Sequence, residues 1–146
     1  MSYSNIKSPI IYIEDDEDDQ LLIQSASKDL KLTHEILFFS RGDQALAYLQ
    51  TTPDKPLLVL CDVNLPGMSG LELRQLIDAD MELRQKAIPF IFFSTEASDA
   101  QINQAYNSPI QGFFIKTSGY EALKSQLELV VRYWQTCAHP NQVVSK

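Results

Sequence analysis

The stretch LLVLCDVNLPGMSG, residues 57–70, predicts a buried strand that turns sharply before the next helix. Its apolar run Leu57–Cys61 has the length and character of a strand that is covered on both faces. The pair Pro66-Gly67 is typical of a turn. Asp62 directly follows the apolar run, so we expect its carboxylate at the carboxyl end of a buried strand.

Short apolar runs alternate with helical periodicity along the chain, which is typical of a parallel sheet covered by helices on both faces. Five strands are predicted, at Ile10–Ile13, Glu35–Phe39, Leu57–Cys61, Phe90–Ser94 and Phe113–Ile115. Five helices are predicted, at Asp18–Leu30, Asp43–Leu49, Gly70–Leu83, Asp99–Tyr106 and Gly119–Gln135. The helix starts are marked by Asp18 and by three pairs with capping-box spacing, Ser69 with Glu72, Ser98 with Gln101 and Ser118 with Glu121. Right-handed crossovers then give a doubly wound α/β sheet.

Length and charge restrict the classes of function. The 146 residues suit one domain, which we expect over residues 1–146 with a core of about 9–134, a short tail of 135–146 and an output carried by another protein. The net charge is −7, from 12 basic and 19 acidic residues, but six acids form the run Glu14–Asp19, and without them the count is 12 against 13. A chain without a basic excess is a poor candidate for binding nucleic acid.

The sequence also favours a cytoplasmic protein that does not enter a membrane. Residues Met1–Lys7 lack the basic and apolar regions of a secretory signal, and the apolar runs are too short for a membrane span. Cys61 lies in an apolar run and Cys137 follows the last helix, so no disulfide framework is indicated.

Polar residues stand at the carboxyl ends of four predicted strands, where doubly wound sheets place their binding sites. They are Glu14 and Asp15, Asp62, Ser94 and Thr95, and Lys116. Clustered carboxylates favour a divalent cation, and a few carboxylates with positions left open for water and phosphate suit Mg²⁺. Lys116 and Ser94 offer a positive charge and a hydroxyl for phosphoryl oxygens. Asp62 remains as the nucleophile, which would form an acyl phosphate.

These residues resemble the receiver domains of two-component response regulators. The resemblance rests on the pair Glu14-Asp15, the segment 61–70, Ser94 and Lys116, and it spans roughly Pro9 to Trp134. It implies the flavodoxin-like sheet with strand order 2-1-3-4-5.

The resemblance also implies a role for each matching residue. Asp62 would be the phosphoacceptor, Asp15 a direct Mg²⁺ ligand, and Glu14 a ligand acting through water. Asn64 would be a ligand through its backbone carbonyl. Ser94 and Lys116 would contact the phosphoryl oxygens.

Three positions depart from the family pattern. Thr117 follows Lys116 where most receivers have proline, and the aromatic switch position is Phe113, which lacks the hydroxyl of tyrosine. Thr95 stands where the family often has a smaller residue, so we hypothesise that it restricts water and slows dephosphorylation.

The predicted function is that of a single-domain response regulator, which catalyses only its own phosphorylation and dephosphorylation. Its partner would be a sensor histidine kinase or a phosphotransfer protein. The segment Tyr133 to Pro140, with Lys116-Thr117, resembles regulators partnered with bacterial phytochromes, so a phytochrome-type kinase is the favoured partner.

The last predicted helix carries a second apolar stripe, too wide for a helix that touches one sheet. It indicates either additional core or a protein interface, since Trp and Tyr are enriched at binding hot spots. A homodimer would use the face formed by the fourth helix, the fifth strand and the fifth helix. The candidate interface residues are Tyr106, Phe113, Tyr120, Leu129, Tyr133 and Trp134.

Two other functions remain open at this point. One is a Mg²⁺-dependent phosphatase or phosphotransferase with an aspartyl-phosphate intermediate, although the sequence has no Asp-x-Asp-x-Thr motif and no cap insertion. The other is a dimerisation module independent of phosphorylation, which the intact set of Asp15, Asp62, Ser94 and Lys116 disfavours. For His34 and His139, and for the acids Asp16–Asp19 at a helix start, a solvated position is expected.

Overall fold

A computed structural model describes residues 8–142 of the chain. Outside this range lie residues 1–7, where no secretory signal is predicted, and the last four residues of the predicted tail. The described part forms five β-strands, β1 (Ile10–Ile13), β2 (Ile36–Phe39), β3 (Leu58–Cys61), β4 (Phe90–Ser94) and β5 (Gly112–Ile115). It forms six α-helices, α1 (Glu17–Asp29), α2 (Gly42–Thr51), α3 (Gly70–Ala79), α4 (Met81–Lys86), α5 (Asp99–Tyr106) and α6 (Tyr120–Thr136), followed by a 3₁₀ turn at Pro140–Gln142.

All the strand pairs are parallel, and their order is β2-β1-β3-β4-β5. This order confirms the predicted flavodoxin-like sheet. The strands β1 and β4 have the predicted bounds, and each of the other three differs by one residue at its start. No helix within residues 8–142 is both long and apolar enough to cross a membrane.

The sheet has a core on each face because side chains alternate along a strand. Tyr12 in β1 faces the cluster that includes Ile23 of α1 and Leu127 of α6. Its neighbour Ile13 faces the opposite cluster, which includes Leu73 of α3. The two helix layers fix the strand ends from both sides.

The prediction of one helix over Gly70–Leu83, and with it the count of five helices, is wrong. The chain breaks at Asp80, whose backbone is extended (φ −83°, ψ 113°) and whose carboxylate accepts a hydrogen bond from the backbone N–H of Leu83 at 3.1 Å. Aspartate competes in this way with the helical hydrogen bonds, so it ends α3 and caps the separate helix α4.

Two predicted helix starts are also wrong, although the capping boxes at Ser69 and Ser98 are confirmed. The N-cap of α1 is Asp16 rather than Asp18, because the Asp16 carboxylate accepts hydrogen bonds from the backbone N–H groups of Asp18 and Asp19. The N-cap of α6 is Gly119, at φ 95°, and it makes no side-chain capping bond. This places Glu121 too early in the helix to complete a capping box with Ser118.

The tail after α6 folds back under the amino ends of the strands, and this corrects the prediction that both histidines are solvated. His139 is buried; its Nδ1 accepts from the backbone N–H of Asn141 at 3.0 Å, so its Nε2–H donates to the carbonyl of Leu57. Asn141 also donates to the carbonyl of Lys55 at 3.2 Å. His34 is half-buried and hydrogen-bonds the carbonyl of Ser8 at 2.7 Å.

Candidate functional site

The polar residues predicted at the strand ends meet at the carboxyl edge of the sheet. Backbone hydrogen bonds extend the sheet by one residue past three of the strands. The backbone N–H of Glu14 donates to the carbonyl of Phe39 at 2.9 Å, that of Asp62 to the carbonyl of Ile13 at 3.0 Å, and that of Lys116 to the carbonyl of Ser94 at 2.8 Å. These bonds hold the backbone of the residues that follow β1, β3 and β5, so their side chains converge above the sheet.

The three carboxylates that were predicted to bind the metal lie together. One oxygen from each of Glu14, Asp15 and Asp62 lies within 4.8 Å of the other two. Glu14 and Asp62 are buried, whereas Asp15 is exposed. Three converging carboxylates repel one another unless a cation joins them, and hard oxygen donors open to water on one side suit Mg²⁺. The residues present therefore fit the predicted ion.

Asp62 is oriented through one of its two oxygens. Its Oδ1 accepts from the Ser94 hydroxyl at 2.8 Å and from the backbone N–H of Asn64 at 3.0 Å. The Ser94 oxygen in turn accepts from the backbone N–H of Val63 at 2.8 Å. Within residues 8–142 no donor contacts Oδ2 of Asp62, so that oxygen is the one left available for attack on an electrophile.

Gly70 allows the loop after β3 to lie close to α3. A Cβ at this position would stand 2.3 Å from the Asp62 carbonyl oxygen and 3.0 Å from the Phe92 ring. Only glycine fits this approach, which fixes the backbone that carries Asp62.

Lys116 is buried and forms two ion pairs. Its Nζ lies 2.7 Å from Oε1 of Glu14 and 2.9 Å from Oδ2 of Asp19, and its side chain is only 4% exposed. Burial disfavours the charge on Lys116, but its hydrogen bond with Glu14 and the charges of Asp19 and Glu14 prevail and raise its pKa. The lysine is therefore held as a cation.

Burial also disfavours the charge on Glu14, and there it prevails. It raises the pKa of Glu14 to about 7, although the hydrogen bond from Lys116 acts to lower it. Burial at the sheet edge therefore disfavours the charged form of Glu14, and a bound cation would offset this cost.

Asn64 connects the loop after β3 to the start of α5. Its amide donates to the carbonyl of Glu96 at 3.1 Å, and its side-chain oxygen accepts from Gln101 at 2.9 Å. Thr95 is exposed and lines a cavity of about 280 Å³ together with Lys116.

Two residues of the site escaped the sequence analysis. Asp19, predicted as part of a solvated helix start, pairs with Lys116 and accepts a hydrogen bond from the Tyr12 hydroxyl at 2.6 Å. Burial, followed by the charge of Asp19, raises the pKa of Tyr12. Tyr12 lies two residues before Glu14, so the alternation of side chains along an extended strand could have placed it near the site. Asp15 precedes the N-cap Asp16 and lies outside α1, so no helical periodicity pointed to Asp19.

The residues predicted to form an interface do not all share one surface. Leu129 and Tyr133 on α6 are 64% and 60% exposed, and with Trp134 they line a groove beside β5. Tyr106 on α5 is exposed, and Phe113 is half-buried, with its ring centroid 5.4 Å from that of Phe92.

Tyr120 lies apart from this surface. Its hydroxyl hydrogen-bonds the carboxylate of Asp29 on α1, which raises the pKa of Tyr120 to about 12. Its place in the predicted interface is therefore not supported, because its ring faces α1.

Comparisons with known proteins agree on one family. The sequence profile of the response regulator receiver domain matches residues 10–128. The probable methanogenesis regulatory protein FilR2 of Methanothrix harundinacea is 32% identical over 129 residues, which cover 86% of this chain and 82% of FilR2. Response regulator Rcp1 of Synechocystis sp. is 26% identical over 136 residues, which cover 90% of this chain and 91% of Rcp1.

Solved structures agree with the sequence comparisons. The phosphorylated cyanobacterial phytochrome response regulator RcpA has a TM-score of 0.79 at 27% identity, over 89% of this chain and 95% of that one. The Mn²⁺-bound form of Rcp1 has a TM-score of 0.79 at 25% identity, over 91% of this chain and 99% of that one.

Proposed function

This chain belongs to the response regulator receiver domain family, whose members are signalling phosphoacceptors, and we propose that it accepts a phosphoryl group on Asp62 from a histidine kinase or a phosphotransfer protein. The observation that carries the proposal is the placement of Asp62 beside Glu14 and Asp15, with its Oδ1 held by Ser94. This arrangement supports a nucleophilic carboxylate next to a cation site.

The proposed transfer forms one bond and breaks one bond. An oxygen of Asp62 attacks the phosphorus of phosphohistidine, the P–N bond breaks, and its electron pair stays on the imidazole nitrogen, which takes up a proton. The product is an acyl phosphate on Asp62. The signal ends by hydrolysis. Water attacks the phosphorus, the bond between the phosphorus and the Asp62 oxygen breaks, inorganic phosphate leaves, and the Asp62 carboxylate is restored.

The neighbouring side chains are proposed to bind and orient the transferring group. Glu14, Asp15, Asp62 and the backbone carbonyl of Asn64 would hold Mg²⁺, which when bound supplies positive charge against the phosphoryl oxygens. Ser94 and Lys116 would contact those oxygens. The existence of a Mn²⁺-bound form of the relative Rcp1 supports a divalent ion for this chain.

Thr95 is proposed to slow the loss of the phosphoryl group, because its exposed side chain lies beside Lys116 where water would approach. We expect a shorter lifetime of phosphorylated Asp62 in Thr95→Ala than in the wild type. The decay is measured by intact mass, and an unchanged rate in Thr95→Ala would refute this role of Thr95.

The output is proposed to be a changed protein contact through the face of α5, β5 and α6. Contact of Ser94 with the phosphoryl group would allow the Phe113 ring to move inward, which would alter the surface around Leu129 and Tyr133. The likeness to the cyanobacterial phytochrome response regulator RcpA supports a phytochrome-type kinase as the partner.

A dimer through this face can be tested with two matched leucines. Leu129 on α6 is 64% exposed and Leu21 on α1 is 61% exposed. In the presence of Mg²⁺ and beryllofluoride, which imitates the phosphoryl group, we expect a dimer in size-exclusion chromatography. Leu129→Glu should abolish it and Leu21→Glu should not, and an equal effect of both would refute the proposed face.

Phosphoryl uptake itself is tested by intact mass after incubation with acetyl phosphate. We expect a phosphoryl adduct with Mg²⁺, and none after chelation or in Asp62→Asn. Asp18→Asn is the control, since Asp18 is an exposed aspartate of the same acidic run. An adduct of equal yield in Asp62→Asn would refute the assignment.

A further inference from the structure

Asp19 is built into the site by contacts that neither a solvated helix start nor a metal site requires. Its side chain is 13% exposed, and both of its oxygens are occupied within the described residues. Oδ1 accepts from the buried Tyr12 hydroxyl at 2.6 Å, and Oδ2 accepts from Lys116 at 2.9 Å. The adjacent Asp18, in the same turn of α1, is exposed.

Lys116 is bound to carboxylates other than the proposed phosphoacceptor. Its ammonium donates to Glu14 at 2.7 Å and to Asp19, and no hydrogen bond joins it to Asp62 within residues 8–142. The rings of Tyr12 and Phe93 lie beside it, with centroids 5.5 Å and 5.4 Å from Nζ. A lysine held this way has to give up a charged hydrogen bond before it can reach a phosphoryl oxygen on Asp62.

We infer that Asp19 is a positioning residue that holds Lys116 in the unphosphorylated protein and releases it when a phosphoryl group reaches Asp62. The Tyr12 hydroxyl occupies the other oxygen of Asp19, and the ion pair alone carries the tether. The inference rests on the proposed function, because it assigns a role to Asp19 in the same phosphoryl transfer.

The tether affects the two directions of the reaction differently. Phosphorylation begins with Lys116 bound to Asp19. Removing the Asp19 carboxylate therefore removes the free-energy cost of breaking this ion pair before the phosphoryl transfer. Hydrolysis begins with Lys116 already on the phosphoryl group, so it does not involve the Asp19 contact. A general loosening of the site would instead change both rates.

Asp19→Asn tests this with little change in shape. We expect it to be phosphorylated by acetyl phosphate about fivefold faster than the wild type, with an unchanged rate of decay of the phosphoryl adduct. Asp18→Asn is the matched control, because it removes the same charge from the same turn without touching Lys116. It should leave both rates within about twofold of the wild type, since an exposed charge is screened.

Tyr12→Phe provides a second variant that keeps both charges. Lys116 still pairs with Asp19 in it, so phosphorylation should be no faster than in the wild type. In the absence of any phosphodonor, NMR of the Lys116 side chain reports the tether directly. Its methylene signals should be equally ordered in the wild type and in Asp18→Asn, and measurably less ordered in Asp19→Asn, where only the pair with Glu14 remains.

The outcomes separate the two proposals. If the wild type takes up no phosphoryl group on Asp62, the proposed function fails, and this inference fails with it. If the wild type is phosphorylated but Asp19→Asn is no faster than Asp18→Asn, or speeds hydrolysis as much as phosphorylation, only the tether is refuted.

Discussion

At the carboxyl edge of the sheet a buried lysine pairs with carboxylates, whereas at the amino edge the buried polar side chains bond to backbone carbonyls. The first edge gathers Glu14, Asp19 and Lys116 with Asp62. At the second edge, His139 and Arg74 each donate to a backbone carbonyl. Buried charges cost free energy unless they are paired, while neutral hydrogen bonds to the backbone cost little. The two edges of the same sheet thus differ in their electrostatics, and within the described residues the carboxyl edge is the one that gathers three carboxylates able to hold a metal ion.

The largest expected effect concerns the packing beneath the carboxyl edge. Gly70→Ala would place a Cβ 2.3 Å from the backbone oxygen of Asp62, so the loop that carries the phosphoacceptor has to move. We expect a loss of about 3 kcal/mol in the free energy of unfolding, measured by urea titration, together with reduced phosphoryl uptake.

Gly112→Ala is the control for this substitution. The nearest atom to a Cβ there, on Ile91, is 4.0 Å away, so the variant should unfold within about 0.5 kcal/mol of the wild type. Equal stability of the two glycine variants would contradict the close approach at Gly70.

The next effect is at the amino edge and should be confined to stability. His139→Ala removes the donor to the Leu57 carbonyl and a ring contact with Trp134, so we expect a loss of about 2 kcal/mol. Phosphoryl uptake by the folded protein should be unchanged. His34→Ala, at a half-buried position, should cost less, and a defect in phosphoryl uptake in His139→Ala would show that the two edges are coupled.

A smaller effect should distinguish the edges by their response to a cation. At about ten times its dissociation constant, Mg²⁺ should stabilise the wild type by about 1.4 kcal/mol, because it binds only the folded site. Asp15→Asn should lose this increment, whereas His139→Ala should retain it. The measurement is thermal unfolding with and without chelator, and an undiminished increment in Asp15→Asn would argue against Asp15 as a ligand.

The carboxyl edge was more predictable from the sequence than the amino edge for a physical reason. Parallel strands must end together, so the residues after β1, β3 and β5 could be placed from the apolar runs alone. The contacts of His139 depend on how the tail folds back over the sheet, which leaves no periodic signal. The break at Asp80 was missed because its flanking residues continue the helical pattern.

Asp19 illustrates the limit within the site itself. Asp15 precedes the N-cap of α1, so helical periodicity does not relate Asp19 to it, and an acid at a helix start is also favoured by the helix dipole. Only the burial of Lys116 and the Tyr12 hydroxyl distinguishes Asp19 from its exposed neighbours.

The central claim, that Asp62 is the phosphoacceptor, is tested most directly by locating the acyl phosphate. The wild-type protein would be phosphorylated with acetyl phosphate and Mg²⁺, reduced with borohydride, which converts an acyl phosphate to an alcohol, digested and sequenced by tandem mass spectrometry. We predict reduction at Asp62 and at no other carboxylate. Reduction at Glu14, Asp15 or Asp19 in its place, or at none, would contradict the account.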